Sequence, residues 1–189
     1  MIHPPDMEAL TRKILEIVET VVDNGEPLKP DIPLMSGLGL DSLDLIEVSF
    51  ALEEFFEFQF GERNAVEVLD RALGGDRLIR TGKLTPEGLK MALRRMPELA
   101  SLELPEELSP LELQQYYTIE SFARLIREFY LAAPDRCPET GEAAVLDQFR
   151  IVYETSREPV PVPGGDELID RWVARMAAEI ENSKSDSIA

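Results

Sequence analysis

The chain is poor in cysteine, histidine, basic residues and long apolar runs, and each shortage removes a class of protein. A single cysteine, Cys137, cannot close an internal disulfide, so nothing asks for an oxidising compartment. It sits in a Pro-bounded loop without ligand-spaced partners and reads as an exposed free thiol, not a metal ligand. The only histidine, His3, lies at the very start. A Ser-His-Asp relay would need that end to fold back onto the serine. No apolar stretch approaches the roughly 20 residues that cross a bilayer. The opening Met1-Ile2-His3-Pro4-Pro5-Asp6 lacks a signal-peptide layout, so the expected location is the cytoplasm. Nineteen basic residues face thirty-seven acidic ones, a net charge of −18. That balance makes nucleic acid a poor partner and basic protein surfaces good ones.

The 189 residues are enough for one well-cored domain with an insert or a second small unit. The acidity is uneven. Residues 1–60 hold thirteen Asp/Glu and three Lys/Arg, net −10, whereas 61–189 spread a net −8 over more than twice the length. Solubility explains a diffuse acidic surface; concentration around one helix calls for a partner.

Helical periodicity dominates. Leu10, Ile14, Ile17, Val18, Val21 and Val22 paint one stripe on a helix from about Met7 to Asp23, stopped by Asn24-Gly25. Pro27, Pro30 and Pro33 keep the following loop extended. It ends at Ser36-Gly37-Leu38-Gly39-Leu40, where two glycines permit tight turns. Asp41 or Ser42 then caps a second helix reaching about Phe56. Leu45, Val48, Leu52 and Phe56 form its inner face, with Leu43 and Phe55 at the flanks. A third strong helix begins near Thr118, uses Phe122, Leu125, Ile126 and Phe129, and is limited by Pro134.

Between them, 61–117 has its own organisation. Asn64–Leu73 reads as a short helix closed by Gly74-Gly75. Thr85-Pro86-Glu87 caps a helix through Leu89, Leu93 and Met96, and Ser109-Pro110-Leu111-Glu112 has capping-box spacing. Beyond Pro134 the chain loosens. Val145–Tyr153 fits a helix or a strand, and Glu158–Gly165 is a stiff Pro-rich linker. Leu168, Ile169, Trp172, Val173, Met176 and Ile180 make an amphipathic last helix, expected to pack its Trp172 on the main bundle; Asn182–Ala189 is expected to fray.

The chemistry concentrates at Leu38-Gly39-Leu40-Asp41-Ser42-Leu43-Asp44-Leu45-Ile46-Glu47-Val48, continued by Ala51-Leu52-Glu53-Glu54-Phe55-Phe56. A serine with no base beside it is a weak nucleophile, but one at a helix start is open to a modifying enzyme and suits an attached anion. This run resembles the attachment loop and second helix of acyl carrier proteins. The likeness resumes at Thr118-Ile119-Glu120-Ser121-Phe122-Ala123-Arg124-Leu125-Ile126, similar to the family's last helix.

The resemblance implies an all-α carrier bundle from 1–60 and 118–133, a helical insert at 61–117 and a C-terminal extension at 134–189 with a terminal helix. It implies covalent 4′-phosphopantetheine, drawn from coenzyme A, on Ser42, with Asp41 and Leu43 beside it. Partners would be a phosphopantetheinyl transferase and acyl-loading and acyl-transferring enzymes with basic docking patches. Asp41, Asp44, Glu47, Glu53 and Glu54 stand where the family meets those patches, with Ile46 and Phe50 as apolar contacts between the charges. The implied role is carriage without catalysis, in fatty-acid or specialised lipid biosynthesis. A peptidyl or polyketide carrier, or a helical adaptor that has lost the arm, are the alternatives.

Three departures stand out. Gly37 replaces a common acidic residue, Ser49 replaces an inner aliphatic one, and fifty-seven residues separate Phe60 from Thr118. That insert either enlarges the acyl cavity, adds a docking surface, or is a tolerated loop insertion. Gln115-Tyr116-Tyr117-Thr118-Ile119 resembles specialised bacterial carriers with an expanded loop, including long-chain carriers for lipid A.

Overall fold

The computed structural model describes residues 2–22 and 28–186, with side chains through 182. The Asn24-Gly25 stop, Pro27 and the last residues 187–189 lie outside the described residues. The chain divides into two compact units: Met1–Phe60 with Tyr117–Gly165, and Gly61–Tyr116 with Asp166–Ala189.

The first unit is a helical bundle. Helix α1 (Met7–Val21) starts where the Asp6 carboxylate accepts the Ala9 N–H at 2.7 Å, and it buries Leu10, Ile14 and Val18 at four-residue spacing. Helix α2 spans Ser42–Phe56 and buries Val48, Leu52 and Phe56. The other long helix of this unit (Ile119–Ala132, α5 in chain order) opens on a reciprocal box. The Thr118 hydroxyl accepts the Ser121 N–H, and the Ser121 hydroxyl accepts the Thr118 N–H, each at 3.2 Å and buried. Its Ile119, Phe122, Ala123, Ile126, Phe129 and Tyr130 complete the core.

The loop before α2 is bolted to the start of α5. Leu34 donates its N–H to the Tyr117 carbonyl at 2.9 Å, Glu120 donates to Pro30 at 3.3 Å, and Leu28, Leu34 and Leu40 are buried. These bonds satisfy a loop backbone that would otherwise be orphaned.

The second unit holds helix α3 (Ala65–Ala72), a two-residue hairpin of β1 (Ile79–Arg80) and β2 (Lys83–Leu84), helix α4 (Pro86–Arg95) and two 3-10 turns, Pro97–Ser101 and Glu112–Tyr116. Asn64 caps α3 and Thr85 caps α4, each through its side chain. The Ser109–Glu112 box forms, with the Glu112 carboxylate accepting the Ser109 N–H at 2.7 Å. A Cβ on Gly88 would stand 2.0 Å from the Leu78 carbonyl oxygen, so only glycine lets α4 lie this close to the hairpin segment. Helix α6 (Gly165–Asp186) belongs here. Arg63 bonds Asp170 through two nitrogens at 2.9 Å and meets Asp166 at 3.3 Å; Arg94 pairs with Glu179; the Arg95 guanidinium lies 5.4 Å from the Trp172 ring centre. Trp172 is buried, as expected, in a helix that clusters with this second unit. The helix also runs four residues past Asn182, where fraying was expected.

The helical expectation describes the framework: the described residues hold six α-helices and only two small sheets. The ambiguous 145–153 stretch resolves as a hairpin, β3 (Ala144–Asp147) against β4 (Arg150–Tyr153), with Ala144 opposite Tyr153 and Asp147 opposite Arg150. It is part of the bundle unit. The Tyr130 hydroxyl donates to the Phe149 carbonyl at 2.5 Å, and the Phe149 ring lies 6.1 and 6.0 Å from those of Phe55 and Phe56. Burial pushes the Tyr130 phenol up, which keeps it a donor.

Candidate functional site

Ser42 is the first residue of α2, exposed, and its hydroxyl has no hydrogen-bond partner among the described residues. The sequence left Asp41 and Ser42 as alternative caps, and the structure selects Asp41. Its carboxylate accepts the N–H groups of Leu43 at 2.7 Å and Asp44 at 3.0 Å, while Asp44 returns the favour to the Asp41 N–H at 2.8 Å. With Asp41 holding the cap, the serine hydroxyl is spared that duty and left open. An unengaged hydroxyl at the positive end of a fifteen-residue helix fits a phosphodiester attachment.

The loop that delivers this serine depends on two glycines for different reasons. Gly39 has φ of +78°, in the left-handed region. Gly37 has ordinary backbone, but a Cβ there would sit 2.6 Å from Ile32 Cγ2 and 2.7 Å from the Pro33 carbonyl oxygen. The departure at Gly37 is therefore a close-packed turn, and any side chain in that position must displace it.

The sequence-derived neighbours fall into three groups. Asp41, Asp44 and Glu53 are tied to backbone: Glu53 accepts the Phe60 N–H at 2.6 Å and holds the chain leaving α2. Glu47 and Glu54 are exposed and have no partner among the described residues. Leu43, Ile46 and Phe50 are exposed apolar residues. Ser49 is half-buried and donates its hydroxyl to the Leu45 carbonyl at 2.8 Å, so its polarity is spent within the helix.

His3 is exposed, and no side chain is hydrogen-bonded to the Ser42 hydroxyl among the described residues. Cys137 corrects the sequence reading in one respect: it is half-buried, not exposed. Hydrogen bonds from the Thr140 hydroxyl and the Thr140 and Glu139 amides, with a smaller one from Tyr153, hold its thiol below the usual range. Among the described residues no group of three or more His, Cys, Asp and Glu is placed to hold a metal. Nor is any helix of them long and apolar enough to cross a membrane.

A short helical bundle that presents one unencumbered serine at a helix N-terminus has the form of a carrier domain. The family described as the phosphopantetheine attachment site matches residues 12–68, a stretch that contains Ser42 and all of α2. A Schizosaccharomyces pombe protein named as a mitochondrial acyl carrier protein is 38% identical over 66 residues, covering 34% of this chain and 56% of that relative. No solved structure matches the chain. The chain thus spans about half the length of the acyl carrier protein that it matches, and the likeness to the attachment family is confined to this segment. The prosthetic group of such a domain is 4′-phosphopantetheine, whose terminal thiol holds cargo as a thioester.

Proposed function

We propose that Ser42 Oγ is the attachment atom and that the chain carries an acyl group between enzymes of fatty-acid or specialised lipid biosynthesis without catalysing a step itself. The observation that supports this most is the pairing of a free, exposed Ser42 hydroxyl with a cap supplied by Asp41, inside the stretch that matches the attachment family. Asp41 and Asp44 fix the turn on which the serine is presented, and Leu43 lies directly beside it. The partners are the phosphopantetheinyl transferase that loads the arm and acyl-loading and acyl-transferring enzymes with basic docking patches. A cytoplasmic setting agrees with the single cysteine.

The resemblance of Gln115-Tyr116-Tyr117-Thr118-Ile119 to specialised bacterial carriers with an expanded loop favours specialised lipid assembly over bulk synthesis. A peptidyl or polyketide carrier would share every feature of the attachment site and differ in cargo, and an adaptor would keep the bundle without the arm.

Incubating the full chain with a fluorescent coenzyme A analogue and a broad-specificity transferase tests the assignment. A fluorescent band that disappears in Ser42→Ala is expected; an unlabelled wild-type chain, alongside a labelled control carrier, would favour the adaptor. Cargo released from the loaded native protein by hydroxylamine separates acyl from aminoacyl or polyketide.

A further inference from the structure

Helices α2 and α5 both pack on α1, and they meet each other through aromatic rings carried by the chain that leaves α2. Glu57 takes φ of +58° and turns that chain back. From there side chains alternate: Glu57 and Gln59 are exposed, Phe58 is buried and Phe60 half-buried. The Phe58 ring stacks on Phe56 of α2 at 6.3 Å and on Phe129 of α5 at 4.8 Å, with Tyr130 edge-on at 5.1 Å. Phe60 stands 5.8 Å from Phe122 and 5.9 Å from Phe129. The segment 57–60 is thus a wedge driven between two helices.

Two bonds hold the wedge in place. Glu53 of α2 accepts the Phe60 N–H at 2.6 Å, and the Gln59 carbonyl accepts the Gly165 N–H at 2.8 Å. Its Phe60 end faces the attachment loop. Phe122, which Phe60 meets, lies 6.5 Å from the Tyr117 ring, and the Tyr117 carbonyl accepts the N–H of Leu34 in the loop before Ser42.

An apolar chain on the arm gains by leaving water, in proportion to its methylenes. The apolar volume that α2 offers is the core beneath Val48, Leu52 and Phe56. A chain laid along that face needs the space that Phe58 and Phe60 fill. Entry would unstack paired rings in a close-packed core, where overfilling is penalised.

Resting on the carrier reading, we propose that the 57–60 wedge keeps cargo out of the bundle and that Phe60 is the residue that sets this limit. The cargo then stays in water until an enzyme takes it up. That state suits a short acyl group and becomes costlier with each added methylene.

The full-length chain, loaded by a phosphopantetheinyl transferase from butyryl-, octanoyl- or decanoyl-coenzyme A, tests this through the rate at which hydroxylamine cleaves each thioester. Wild type is expected to lose all three at rates within about twofold, with melting temperatures that do not rise with chain length. Phe60→Ala opens an apolar space between Phe122 and Phe129, and it is expected to slow cleavage of the decanoyl ester about fivefold while leaving the butyryl ester unchanged. Phe60→Leu, which keeps most of the volume, is expected to follow wild type. Circular dichroism checks that each variant is folded; should Phe60→Ala fail to fold, the wild-type series still decides. A wild-type decanoyl ester cleaved about fivefold more slowly than the butyryl ester, or a melting temperature that climbs with chain length, would overturn the proposal. So would a long-chain acyl group found on the native protein. A folded Phe60→Ala that stays indifferent to length would overturn the role given to Phe60. A wild-type chain that accepts no arm would overturn the carrier reading and this inference with it, whereas length-dependent shelter overturns the inference alone.

Discussion

Asp41 settles the position of Ser42 by taking the capping role that the serine would otherwise fill, and the cost of losing it follows from that bond. Asp41→Ala should destabilise the bundle unit by about 1 kcal/mol, with Asp41→Asn retaining most of the cap; thermal denaturation of the two variants checks this. Glu112 gives a residue-scale test in the second unit. The Lys83 ammonium first, then the Ser109 hydroxyl and amide, hold its carboxyl at about 2. That lies below the ordinary carboxylate range, so the contribution of Glu112 to stability is in place above that range and is lost as pH falls toward about 2. An NMR titration should find Glu112 still ionised at pH 3 in the folded chain, and titrating closer to an ordinary carboxyl in Lys83→Met. A normal value in the wild type would contradict the pairing. At this scale the site was readable because its bonds are local: cap, serine and box fall within Asp41–Asp44. Glu53 was not, because its partner is the amide of Phe60, beyond the end of its own helix.

Among the elements, helices whose apolar residues recur at one spacing were legible from the sequence, with Asn64, Thr85 and Thr118 marking three of their starts. The β3–β4 hairpin was not. Val145, Leu146, Ile151, Val152 and Tyr153 suit a strand, but the two-residue turn is Gln148-Phe149, without the Asn-Gly or Asp-Gly pair that announces a hairpin. Gln148 takes φ of +56°, a conformation that most side chains avoid. What holds the turn is long-range: the Tyr130 hydroxyl on the Phe149 carbonyl, and the Phe149 ring against Phe55 and Phe56. Helix α2 was half legible. Its inner face announced itself, and Ile46 and Phe50, expected between the charges, are exposed; Leu43, placed at the flank of the inner face, is exposed as well.

At the scale of the whole molecule, the sequence suggested an insert and an extension as separate additions, yet 61–116 and 166–189 make one unit from two distant stretches. No periodicity announces that α6 belongs with the insert. The join rests on particular pairs: Arg63 with Asp166 and Asp170, Arg94 with Glu179, and Arg95 with Trp172. Truncation after Gly165 should therefore leave 61–116 open to limited proteolysis while 1–60 and 117–165 resist; equal resistance in both would contradict a shared unit. The carrier function proposed for this molecule places its arm on Ser42. Intact mass spectrometry with peptide mapping, after incubation with coenzyme A and a phosphopantetheinyl transferase, tests it most directly. A gain of one phosphopantetheine group, mapped to Ser42 and absent in Ser42→Ala, is expected. No gain in the wild type, or a gain that persists in Ser42→Ala, would contradict it.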